Sequence, residues 1–453
     1  MGGNQSNRSA TVAQHMMDSS AKLTSGLLRG NANQLGDFDE CLEVDDDGEV
    51  RGQYCLASLD VSAGPGAGED LVRAVRMVRG GDFLLSSHRD VSTVLPPSLP
   101  TFMKPFYFQA NKAGTSSAGH FVPRYSTLQW ALCVPASCRP GDVELGVVRS
   151  LARLNESSSL RVDARVEPDT CYSEQRAPSW TPAATAVMFV FGAVVALVLI
   201  ATLRDNGCDR FSADKGRLER AALSFSLRRT VPELLSAADG DVRCVHGLRA
   251  LGTAALYLAH RVIVVGHTPY LNRDHFVQVA AQPWTMVFRA SIVYTDTFLF
   301  LSGLLAAYSL SKELARTGNV DWRRRLLARY IRLTPAMVSL LLFNAFVWEH
   351  LGNGPMWNKL VTRNADLCKQ FLWRNMLYLQ NFFPFQEMCG PHTHQLALDM
   401  QLFLVSPLLV RLLQVRRWLG LMVFAVLNVC SVALRYWATR RHQLSLIIHH
   451  GQT

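Results

Sequence analysis

Residues 181–203, TPAATAVMFVFGAVVALVLIATL, hold no charged side chain. As a helix this run rises about 34 Å, and the hydrocarbon core of a bilayer is about 30 Å thick. Lipid offers the backbone no hydrogen-bond partners, so a segment this apolar spans as a helix. The run therefore divides the chain into a front part, 1–181, a first span, 182–203, and a long remainder. In that remainder five further apolar stretches, at about 245–267, 284–310, 330–351, 395–413 and 418–436, are also candidate spans.

Composition agrees with a mixed chain. Of 453 residues 49% are hydrophobic, too many for an ordinary soluble domain and too few for an all-membrane protein. The net charge of +10 is unevenly placed: residues 1–181 hold 17 Lys and Arg against 21 Asp and Glu, the remainder 29 against 15. Because the basic residues lie between apolar spans, they point to the bilayer as partner and away from nucleic acid.

The loops set an orientation. Segment 204–243 carries eight Lys and Arg and 311–329 carries six, whereas 268–283 has one and the longer 352–394 has four. Positive-inside counting places 204–243 in the cytosol as a linker, and the front part and 352–394 in the lumen or outside, in the plasma membrane or an endomembrane. Cysteines follow the same division. Cys41, Cys55, Cys133, Cys138, Cys171, Cys368 and Cys389 fall on the oxidising side and are disulfide candidates, while Cys208 and Cys244 fall on the reducing side. Asn4, Asn7 and Asn155 are glycosylation candidates. Five cysteines in the front part leave one thiol over. The start MGGNQSNRSATVAQHMMDSS lacks a basic end and an apolar core, so the reading expects the natural start upstream.

Within 1–181, VAQHMMDSSAKLTSGLL reads as a helix, EVDDDGEVRG as an acidic turn and SAGPGAGE as a loop. RPGDVELGVVRSLARL reads as a helix with Pro140 near its first turn, and RVDARV as a short strand. The expected fold is thus mostly α: a disulfide-containing soluble N-terminal domain, then a polytopic α-helical bundle of about six spans. Zinc-type spacing, a phosphate-binding glycine loop and a nucleophile elbow are all missing from the sequence, so no metal is expected. CVPASC reads as disulfide chemistry.

The polar residues inside the spans carry the functional reading. Arg249 and His260 stand eleven residues apart, three helical turns plus about 20°, so they share a face and lie about 16 Å apart along it. Ionisable groups at such depth face protein or a wet cavity. Snorkelling of Arg249 and interhelical packing by His260 are the structural alternatives. Asp296 needs a partner in its span, where Gly303 is expected to let helices approach closely. Arg329 and Arg332 are one turn apart and suit phosphate binding as well as membrane anchoring. Asp399 and Gln401 open the next span and suit a cavity lining.

Several blocks resemble a known family. DSSAKLTSGLLRGNANQLGDFDECL, GQYC and LCVPASC are similar to the N-terminal domain of the nose-resistant-to-fluoxetine family. GLRALGTAALYLAH, YTDTFLFLSGLLAAYSLSKEL, RYIRLTPAM, NMLYLQNFFP and LALDMQLFLVSPLL resemble the acyltransferase-3 membrane domain that follows it, at 244–453 here. The resemblance implies a membrane acyltransferase. An acyl-CoA donor would be held at the cytosolic side by Arg249, Arg329 and Arg332, and an unknown hydroxyl acceptor would be deprotonated by His260 as general base; Arg249 and His260 are the pair that the resemblance marks as catalytic. Asp296 and Asp399 would support these groups. Family members carry about ten or more spans, so the resemblance also implies a domain truncated at its C-terminus. The competing readings are a non-catalytic membrane protein for lipid or small-molecule uptake, and an inert truncated product.

Overall fold

The computed structural model describes residues 2–22, 33–46, 50–63, 127–157, 160–176, 178–205, 216–236, 243–269, 279, 282–289 and 291–442. The front part contains α1 (Gly2–Ser19), α2 (Phe38–Glu43), β1 (Asp45–Asp46), β2 (Val50–Ala63), β3 (Thr127–Pro135), α3 (Pro140–Ser157), β4 (Leu160–Arg165) and β5 (Cys171–Tyr172). The helix expected at 139–154 and the RVDARV strand are present as α3 and β4, whereas the helix expected over 12–28 continues α1 only to Ser19: residues 20–22 are not helical, and 23–28 lie outside the described residues. The SAGPGAGE loop, from residue 64 on, and the tip of the acidic turn, 47–49, lie outside the described residues.

Mostly helical holds for the chain, but the front part is built on an antiparallel sheet. Strand β2 is its centre and pairs with all four other strands: with β3 along one edge, with β4 and β5 along the other, and with β1 at its start. Residues 52–57 are buried at every position, with no alternation. A strand covered on both faces loses the two-residue period. Gly52 is required by a close approach, since a Cβ there would stand 1.8 Å from the Cys41 carbonyl oxygen.

Two disulfides staple this sheet, Cys41–Cys133 from α2 to β3 and Cys55–Cys171 from β2 to β5, and Cys368–Cys389 closes a loop far along the chain. Cys138 is the thiol left over: β3 turns Cys133 inward onto Cys41, while Cys138 stays unbonded beyond the turn. Asn155 uses its side chain locally, donating to the Val162 carbonyl at 3.1 Å and accepting from the Val162 amide at 2.8 Å. Asn4 and Asn7 lie on α1 and their side chains fall outside the described residues, as does Cys208.

The remainder is α4 (Pro182–Arg204), α5 (Arg217–Leu223), α6 (Leu227–Leu235), α7 (Arg243–His267), α8 (Met286–Arg289), α9 (Ser291–Thr317), α10 (Trp322–Phe346), α11 (Arg363–Met376), α12 (His394–Val415) and α13 (Arg417–His442). Thr181 caps α4 by accepting from the Ala184 amide at 3.2 Å, and Pro182 fills the first helical position. Five helices among the described residues are long and apolar enough to cross a membrane: α4, α9, α10, α12 and α13. Their large apolar side chains face outward, with Phe189 77%, Leu408 70% and Met422 65% exposed. An inverted surface of this kind is matched only by lipid, and the chain is an integral membrane protein. The sixth candidate, α7, has 25 residues and is not among these five; Arg249, His260 and Arg261 lie within it. The candidate at 284–310 begins late: a 3₁₀ turn, Pro283–Thr285, and the four-residue α8 precede α9.

The front part docks on the membrane part. A π-turn at Asn358–Thr362 presents Lys359, which is 7% exposed, to Glu167 at 2.7 Å. Asn358 donates to the Cys171 carbonyl at 3.3 Å, and the Trp180 ring stacks on His350 at 4.5 Å.

Candidate active site

Helix α9 is the spine of the site. Near its start the Thr295 carbonyl accepts from Gln395 of α12 at 3.0 Å. Midway, Ser302 Oγ accepts from Arg329 of α10 at 3.0 Å, and later Ser309 Oγ accepts from Arg325 at 2.9 Å. Helix α10 therefore runs antiparallel to α9, and α12 runs parallel to it. Helix α7 packs where Gly252 meets the Phe298 ring, and a Cβ at Gly252 would be 3.3 Å from two ring carbons. The close approach expected at Gly303 is made here instead. At Gly303 an added Cβ meets nothing within 4 Å.

Arg329 is the best-held charge at this depth. Its Nη2 pairs with Asp399 Oδ2 of α12, its guanidinium carbon lies 4.4 Å from the centre of the Phe403 ring, and its side chain is 20% exposed. Ser302 is eleven residues from the start of α9 and fifteen from its end, so this cluster lies about 16 Å from one end and 22 Å from the other. Arg329 stands beside the middle of α9 because α10 starts alongside the last turns of α9, where Arg325 pairs with Glu313. Arg332, one turn on, is exposed, as is Asp296.

Arg249 and His260 share a face of α7, as their spacing requires. Arg249 is half-buried, and the Gly252–Phe298 contact puts it at about the level of Leu301, close in depth to Arg329. The His260 Nδ1 lies 2.8 Å from the Leu256 carbonyl oxygen. A carbonyl can only accept, so Nδ1 carries the proton and Nε2 presents its lone pair outward. At that end of the bundle His392 lies within range of the charges of both His260 and His394. Sequence reading did not single out His392 and His394, although the signal was present in PHTH at the start of a span.

Tyr378 was also missed. It is buried, and its φ of +57° is a conformation that L side chains rarely adopt. Three contacts hold it there: its hydroxyl is 3.0 Å from Thr334 Oγ1, its carbonyl accepts from Gln401 at 2.7 Å, and its amide donates to the Asn375 carbonyl at 3.0 Å. Burial pushes the Tyr378 hydroxyl above its ordinary value, against the lowering effect of the Thr334 hydrogen bond and the Arg329 charge. It thus stays neutral beside the Arg329 cluster.

Comparison with known proteins divides the chain in the same way. The family described as nose resistant-to-fluoxetine protein, N-terminal domain, matches residues 3–146, and the acyltransferase domain family matches residues 242–451. Nose resistant to fluoxetine protein 6 of Caenorhabditis elegans is 25% identical over 431 residues, covering 87% of this chain and 49% of its own length. Regulator of hypoxia-inducible factor 1 of the same organism is 23% identical over 220 residues, covering 47% of this chain and 42% of its own. The chain thus spans about half the length of the curated relatives it matches, or less. No solved structure matches.

Proposed function

We propose that this integral membrane protein, whose two parts match the nose resistant-to-fluoxetine N-terminal domain and the acyltransferase domain families, moves an acyl group from an acyl-coenzyme A to a hydroxyl acceptor. The observation that carries this reading is His260, whose Nδ1 is committed to the Leu256 carbonyl so that Nε2 is free as a base. In the step proposed, Nε2 takes the acceptor's hydroxyl proton and the oxygen attacks the thioester carbonyl. The carbon–sulfur bond then breaks, and the leaving thiolate takes the proton back from the imidazolium, giving an ester and free coenzyme A.

Arg249, about 16 Å from His260 along α7, is at a distance that an extended pantetheine arm can bridge. Its guanidinium, with those of Arg329 and Arg332, would hold the donor's phosphates. Asp399 would set the direction of the Arg329 fork, and Asp296 would support the acceptor end. The front domain would lie on the luminal or outer side of the plasma membrane or an endomembrane. Its disulfides and its docking onto the 347–363 segment support that side, which the basic loops also favour.

The test uses membranes carrying the protein, incubated with acetyl-coenzyme A, with release of the free thiol followed in time. His260→Ala should lower the rate roughly 10²- to 10⁴-fold at equal protein level. Release unchanged in His260→Ala and His260→Gln would sink the general-base role.

A further inference from the structure

Helix α6, LRRTVPELL, is tied to the end of a membrane span and shows an apolar face that nothing covers among the described residues. Leu227, Val231, Leu234 and Leu235 fall within about 100° of one another around its axis, and their exposures are 47%, 44%, 84% and 80%. Arg229 and Glu233 occupy the other side. Arg229 reaches the Asp205 carboxylate with two hydrogen bonds, Nε to Oδ2 at 2.7 Å and Nη2 to Oδ1 at 3.0 Å. Arg228 donates to the Asp205 carbonyl at 2.7 Å, and the Leu227 amide donates to Thr202 Oγ1 at 3.0 Å. Asp205 is only 2% exposed and caps α4, so these four bonds fix the start of α6 against the last turn of the span.

We infer that α6 lies in the interface of the bilayer, its leucine face in the acyl chains and its arginines at the headgroups. Lipid is the occupant because of where the helix is anchored. A face held within one turn of the end of a 23-residue span is already at the depth where headgroups meet acyl chains. Leu218 of α5, 88% exposed, and Phe225, 45% exposed, continue the apolar surface toward the same anchor. The Arg228 guanidinium is bonded to a carbonyl rather than a carboxylate, which leaves its charge available to a lipid phosphate. Asp205 is then a hinge pin that couples the first span to the membrane surface, independent of whether the acyl-transfer reading holds.

The test is bimane fluorescence on the full chain in lipid nanodiscs. Single cysteines replace Val231, Leu234 or Glu233, and serine replaces Cys138, Cys208, Cys244 and Cys430. All three test positions are exposed, so the substitutions leave packing intact. Lipids brominated near the headgroup end of the acyl chain should quench the Val231→Cys and Leu234→Cys probes at least about twofold more than the Glu233→Cys probe. Equal quenching at all three, or no quenching at any, would overturn the inference. In the second case a soluble quencher separates a face open to water from one covered by protein, and either rules lipid out.

Discussion

Arg329 of α10 and Asp399 of α12, seventy residues apart in the chain, form an ion pair near the mid-length of α9 and clamp three helices through Ser302. Each side chain is about one-fifth exposed, so removing one partner strands the other in a poorly hydrated place. Asp399→Ala and Arg329→Ala should each destabilise the bundle by about 3 kcal/mol. The double variant should lose clearly less than the sum. Thermal unfolding in detergent micelles checks both, and strictly additive losses would mean that the pair does not couple.

Gly52→Ala tests the sheet. A Cβ at 1.8 Å from the Cys41 carbonyl cannot be accommodated by a rotamer change, because the neighbour is backbone. The α2–β2 contact would have to open, with the Cys41–Cys133 bridge beside it. We expect a loss of more than about 4 kcal/mol, in the range reserved for disrupted cores. Non-reducing electrophoresis of the secretory pool should show mispaired forms, and a variant with native bridges and melting would contradict the close approach.

What could be read without coordinates follows from local physics. The span α4 was legible end to end, from its uncharged run to its Thr181–Pro182 start. The shared face of Arg249 and His260 followed from helical period alone. Strand β2 was not legible, because burial on both faces erases alternation and its long partner β3 comes after more than sixty intervening residues. The depth of Arg329 was not legible either: it depends on where α10 starts beside α9, a packing fact that no spacing encodes. For the same reason the choice between Gly252 and Gly303 as the contact glycine needed the helix pairing.

Tyr54 predicts an alkaline limit for the front domain. It is fully buried, and its hydroxyl donates to the Leu35 carbonyl at 2.7 Å. Burial, then the Asp37 charge, push its ionisation well above the ordinary value. The unfolded chain ionises this group near pH 10 and the folded domain does not, so the unfolded state binds fewer protons above that pH. Stability is then full below about pH 10 and falls as pH rises past it, by up to about 1.4 kcal/mol per unit. Tyr54→Phe should lose about 1 kcal/mol at neutral pH and flatten the alkaline fall, which melting curves from pH 8 to 11 would reveal.

Lys359 and Glu167 predict how firmly the two parts are joined. The ammonium is 7% exposed and 2.7 Å from a carboxylate on the other part, so reversing its sign opposes two negative charges at a buried contact. Lys359→Glu should free the front part from the π-turn and loosen the connector between Cys171 and Pro182. Tryptic cleavage there should rise at least about tenfold, since a tenfold change in an opening equilibrium needs only about 1.4 kcal/mol. Adding Glu167→Lys restores opposite signs and should return most of the protection. If the double variant is cut as fast as Lys359→Glu alone, the docking rests on the Trp180–His350 stack and the Asn358 hydrogen bond rather than on this ion pair.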